Sequence, residues 1–218
     1  MKIYPLIYLL VYSVFIHAQT DQELNWPVPE GWEYVGKWGQ PEIFHLYNEP
    51  GKNDYVMEIY SHMTAAILAK NISMPLSEDV VVNWNWRVDR IPSMVAEDTA
   101  ETHDYISVAV LFDNGQDISY VWSRSIPEGT SFRCPLPEWT GRETHVIIRT
   151  GEDRLSQWVQ ESRNLKEDYK HYIGGETPGN ISQVWLITVS MFQNGTAKAT
   201  VKDITLEIGK NNIRETVL

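Results

Sequence analysis

The chain has 218 residues with 29 acidic against 18 basic side chains, a formal charge of −11, nine Trp and one Cys. A chain this acidic lacks the clustered positive charge that nucleic acid or an anionic membrane requires. The lone cysteine, Cys134, excludes an internal disulfide, so the fold must stand on its core, and a buried, small apolar role is expected for that thiol.

Met1-Lys2, the apolar run from Ile3 to Ile16 and the small Ala18 follow the order of a secretory signal: charge, greasy stretch, small residue. The run is shorter than the ~20 residues of a spanning helix. Residues 1–18 are therefore expected to be a cleaved signal peptide, with no transmembrane span left and a periplasmic or secreted location. Cleavage removes Lys2 and no acidic residue, leaving 200 residues and a charge of −12, a normal size for one β domain.

Residues 19–32, with Pro27, Pro29 and Gly31, read as an irregular lead-in. Strands are expected near 33–38, 43–48, 54–61, 65–73, 79–89, 104–112, 118–124, 144–150, 156–162, 183–192 and 197–208, where β-branched and aromatic runs alternate with turn formers. Asp113-Asn114-Gly115 reads as a hairpin turn. One short helix is expected over 164–172, capped by Asn164 and ended by Gly174-Gly175. The result is an all-β chain, a jelly-roll-type antiparallel sandwich over 33–209 with a tail at 210–218.

Alternation sorts side chains by face. Val80, Val82, Trp84, Trp86 and Val88 form a core side. Asn83, Asn85 and Arg87 share the other side, a polar row suited to a shallow binding face. In the same way His145 and Arg149 bracket a later strand, and Tyr120, Trp122 and Arg124 another.

Trp84-Asn85-Trp86-Arg87-Val88, Tyr120-Val121-Trp122, the segment Trp158 to Tyr169 and Lys202-Asp203-Ile204 occur in an order that resembles the bacterial domain-of-unknown-function family 3047. The resemblance spans Ala65 to Ile208 and implies an exported jelly-roll-like domain. One departure stands out: the family's Asp-x-Asp-Asn-Thr-Gly segment is replaced by Ser190 to Thr196, without either carboxylate.

Candidate site residues follow from chemistry. Asn83, Asn85, Arg87, Trp122, Arg149 and Arg163 could bind a glycan, the guanidinium groups gripping a sugar carboxylate or sulfate. The preferred alternative is architectural: Arg87 or Arg163 pairs with Glu167 or Asp168 in an internal ion pair that fixes the helix onto the sheet. Jelly-roll polysaccharide lyases are similar in kind: Arg87 would neutralise a uronate while Tyr120 and His145 move protons, although a strand His is more often structural. Asp203 with Glu42 or Glu33 is a candidate pair for a structural Ca2+. The preferred reading of Asp203 is a β-bulge, because the apolar phase switches there from Ala197, Ala199 and Val201 to Ile204, Leu206 and Ile208. No nucleophile elbow, phosphate loop or Cys/His metal spacing is visible. Three functions remain open: carbohydrate binding (a polysaccharide or oligosaccharide), lyase-like β-elimination on a uronate-containing glycan, and a structural or protein-interaction role.

Overall fold

A strand that places an apolar residue at every second position must bury that face. In the computed structural model, which describes residues 30–38, 43–48, 55–209 and 213–218, Val80, Val82, Trp84, Trp86 and Val88 are wholly buried. The expected signal peptide and all but the end of the lead-in lie outside the described residues.

The strands are β1 (Glu33–Trp38), β2 (Phe44–Asn48), β3 (Tyr55–His62), β4 (Ala65–Pro75), β5 (Val80–Arg90), β6 (Tyr105–Phe112) and β7 (Asp117–Ser123). They continue with β8 (Ser131–Arg133), β9 (Glu143–Thr150), β10 (Val159–Asn164), β11 (Asn180–Val189), β12 (Thr196–Ile208) and β13 (Ile213–Thr216). One sheet has the order β1-β4-β11-β6-β7-β9-β8, the other β10-β5-β12-β3-β2, with β13 beside the end of β12. Pairing is antiparallel except between β7 and β9. This is the jelly-roll-type sandwich expected from the strand pattern.

Two strands were not foreseen. β8 is three residues long, below the length at which alternation can be read, and β13 lies in the expected tail. The helix begins where the Asn164 cap predicts, with its side chain accepting from the Glu167 amide at 3.0 Å. It runs Leu165–Asp168 and passes into a π turn, Tyr169–Ile173, that Gly174 ends at φ 75°, a conformation glycine adopts without cost.

Between the sheets, Trp84 meets Trp86 edge-on at 5.9 Å and Tyr120 at 5.4 Å, and Trp86 meets Trp122 at 5.3 Å between ring centroids. The seven-stranded sheet is buried on its outer face too. There Ile67, Ala109, Val121, Ile147, Trp185 and Ile187 pack against Ala96, Ile126, Phe132 and Trp139 from the segments 91–104 and 124–142. In β12, Asp203 has φ 53° and the register to β5 shifts between Lys202 and Thr205. The residue is the bulge that the phase switch called for.

Trp86→Ala removes the largest kind of side chain from a site that cannot collapse, and is expected to cost about 3–5 kcal/mol. A denaturant titration checks this as a lowered midpoint at unchanged slope.

Candidate functional site

The outer face of the six-stranded sheet carries the polar row read from sequence. Because Trp84 and Trp86 are held inward, Asn83, Asn85 and Arg87 point the other way and are half-buried. Register extends the row across the sheet: Gln160 and Lys202 flank Asn85, Ser162 and Thr205 flank Asn83, and Thr200 followed by Glu58 continues from Arg87. Just before β10, Trp158 stands 41% exposed. The Arg87 guanidinium lies 5.6 Å and the Lys202 ammonium 5.1 Å from its ring centroid, within cation–π range. Arg87 is steadied by Asp89 at 3.2 Å, and Asn85 donates to Asp203 at 3.0 Å. Three strand steps separate Trp158 from Glu58, roughly 14 Å at ordinary strand spacing, and the exposed Tyr60 lies beyond. The face is thus a shallow platform with aromatic and amide groups.

Around the corner, at the open edge between β9 and β10, lies a cleft of about 420 Å3 lined by Arg149, Glu161, Arg163, Glu128 and Tyr172 among others. Here the architectural reading holds. Arg149 forks onto Glu161 at 2.7 and 2.9 Å, and Arg163 onto Asp168 at 2.8 and 2.6 Å. Glu161 also accepts the Trp86 indole N–H at 3.1 Å, and Asp168 the Tyr120 hydroxyl at 2.8 Å. Burial, then the adjacent Asp168 charge, pushes the Tyr120 hydroxyl well above its usual range. Burial works against the Arg163 charge, but the Asp168 carboxylate outweighs it and holds that charge more firmly than usual. The two guanidinium groups therefore serve the fold before any ligand.

The lyase-like trio does not assemble. Arg87 sits on the outer face of the six-stranded sheet, Tyr120 sits between the sheets, and His145 is 1% exposed on the far face of the seven-stranded sheet. With sheets ~10 Å apart, those three side chains occupy three layers and share no cleft. Trp122 is likewise corrected: it is buried between the sheets and spends its indole N–H on the Gly151 carbonyl at 3.0 Å, so it cannot touch a glycan. Of the calcium candidates, Asp203 faces Lys202 at 3.8 Å, Glu33 bonds Asn71 in the other sheet, and Glu42 lies outside the described residues.

The profile of a family described as "Protein of unknown function (DUF3047)" matches residues 26–205. The chain belongs to that family. In this DUF3047 chain the segment Ser190 to Gly195 forms the turn from β11 to β12. Its Phe192 and Gln193 amides donate to Asp104 at 2.9 and 2.8 Å, so a carboxylate from another segment serves the turn. A comparison with curated proteins finds no match. Among solved structures, the chain is similar to the xyloglucanase domain of NopAA, a type three effector from Sinorhizobium fredii: 11% identity, 83% of this chain and 95% of that one covered, TM-score 0.45. It is also similar to a family 11 carbohydrate-binding module from Clostridium thermocellum, at 13% identity, with 82% and 89% covered and a TM-score of 0.41.

Asp168→Asn breaks the Arg163 fork and leaves a single neutral amide oxygen to serve both the guanidinium and the buried Tyr120 hydroxyl. Discounted for the partial exposure of Arg163, the expected loss is about 2 kcal/mol. Thermal melts of the variant beside Arg163→Met check this, since the double variant should recover part of it.

Proposed function

We propose that this domain is exported and binds a carbohydrate chain laid across the strands of the six-stranded sheet, on the outer face that Trp158 borders. The observation that carries the reading is Trp158 itself. Of the seven Trp with described side chains, Trp32, Trp84, Trp86, Trp122 and Trp185 are buried and Trp139 is half-buried; Trp158 is exposed. Exposing an indole forgoes the favourable burial that the others gain, and a flat apolar ring beside hydrogen-bonding groups is what a sugar ring stacks on. Asn83, Asn85, Gln160 and Arg87 supply the donors and acceptors for hydroxyl groups within reach of that ring. Both oxygens of Glu161 and of Asp168 are taken up by guanidinium forks, so the edge cleft offers neither as a ready proton donor, and binding fits the geometry better than hydrolysis.

The test is retention on a panel of marine and plant polysaccharides, followed by titration with the best ligand. Trp158→Ala is expected to weaken binding at least about tenfold, the scale of an aromatic anchor, while the buried Trp residues keep the fold intact. Equal affinity of Trp158→Ala and the parent chain, or no retention on any polysaccharide, would end the proposal. Absorbance of unsaturated uronate in the same incubations would instead signal elimination chemistry.

A further inference from the structure

On the far side of the molecule, beneath the segments that cover the seven-stranded sheet, four side chains with metal-binding atoms converge: His103, Cys134, Glu143 and His145. One ligand atom from each lies within 4.8 Å of all the others, and all four residues are buried. The His103 Nδ1 lies 2.9 Å from the Glu97 carbonyl, a contact that fixes this nitrogen as the donor. Its Nε2 is left as a lone pair 3.3 Å from Cys134 Sγ. The His145 Nε2 is 3.4 Å from Glu143 Oε1 and makes no hydrogen bond among the described residues, although the ring is 1% exposed. A buried nitrogen whose polar neighbour is a carboxylate out of hydrogen-bond alignment is placed to take a further partner.

The surroundings hold these groups as an outer shell would. Phe132 stacks on the His145 ring at 5.1 Å and 8°, and Tyr105 meets it edge-on at 4.8 Å. Glu143 Oε1 accepts the Tyr105 and Ser119 hydroxyls at 3.1 and 3.0 Å. A carbonyl behind one histidine and hydroxyls behind the carboxylate are the second-layer contacts that orient metal ligands.

Two of the six ligand–ligand separations suit a tetrahedral ion, and all lie within 4.8 Å. Metal–sulfur bonds of about 2.3 Å and metal–nitrogen bonds of about 2.0–2.1 Å place neighbouring ligand atoms roughly 3.3–3.6 Å apart. The two separations above, 3.3 and 3.4 Å, fall in that range. A thiolate and a carboxylate together balance a divalent charge that would otherwise be costly to bury.

We infer that His103, Cys134, Glu143 and His145 form a closed, four-ligand site for one zinc ion. Four protein ligands leave no open position, which makes the site structural. A carboxylate in the fourth place distinguishes it from two-His, one-Cys copper sites, whose remaining ligand is weak and distant. His103 lies on the segment 91–104, Cys134 directly follows β8, and Glu143 and His145 lie on β9. One ion would fasten both covering segments to the sheet, the Cys134 proton leaving to solvent on binding.

The whole chain, purified without chelator, is expected to carry about one zinc per molecule by elemental analysis. Stripped and reloaded with Co2+, it should show thiolate-to-cobalt charge transfer and tetrahedral visible bands. Cys134→Ser should lose the charge-transfer band. Tyr105→Phe keeps all four ligands, so it should keep the band while binding zinc about 10–100-fold more weakly; it guards against misfolding of the cysteine variant. A stripped parent chain that retains its near-ultraviolet circular dichroism but takes up neither Zn2+ nor Co2+ overturns the site. So does cobalt binding without the sulfur band, or one equivalent of copper in place of zinc.

Discussion

Four aromatic side chains between the sheets, Trp84, Trp86, Tyr120 and Trp122, impose the constraint on which the rest of the structure depends. Large rings fill the interior well, but each brings an N–H or O–H that must find an acceptor. Three of them find one toward the β9–β10 edge: Trp86 at Glu161, Tyr120 at Asp168 and Trp122 at Gly151. Trp84 Nε1 has no partner among the described residues. Carboxylates drawn inward by these donors need counter-charges, and Arg149 and Arg163 provide them. The ionic edge of the sandwich is therefore a consequence of its aromatic interior. Two arginines that look like ligand clamps in the sequence are explained by tryptophan and tyrosine.

The same reasoning says what could be read beforehand. The positions of most strands, the Asn164 cap, the Asp113-Asn114-Gly115 hairpin and the bulge at Asp203 rest on local patterns of a few residues and were legible, whereas β10 and β11 lie two to three residues away from the expected 156–162 and 183–192. Asn83, Asn85 and Arg87 were placed on one face because β5 is buried on only one side, so alternation there has a single meaning. The seven-stranded sheet breaks that condition. β7 is buried at every position and β9 at six of eight, so period two no longer says which face is wet. Tyr120 and His145, paired as proton movers by likeness to lyases, lie on opposite faces of this doubly covered sheet.

Trp158 and the four-residue cluster escaped the sequence for a different reason. Exposure of one Trp among the seven described is a property of packing, and nothing in its immediate neighbours marks it. The cluster draws on three segments, at 103, 134 and 143–145; the parallel pairing of β7 with β9 requires a long crossover, and that connection carries β8 at the sheet edge and packs Ile126, Phe132 and Trp139 on the outer face. No spacing rule covers ligands assembled that way. Cys134 reads from sequence as a buried, small apolar side chain; it is buried, and His103 and Glu143 beside it give it a polar setting.

The bulge at Asp203 divides β12 into halves read in opposite phase. The first half spans β3 and β5, and the second spans β5 and β13. Lys202 and Asp203 consequently lie next to each other on the outer surface as an adjacent pair of opposite charge, which an unbroken strand would put on opposite sides. Losing or gaining one residue here would turn Ile204, Leu206 and Ile208 toward water at a stroke. A frame set by one aspartate therefore keeps the hydrophobic interior and the outward-facing polar surface in step.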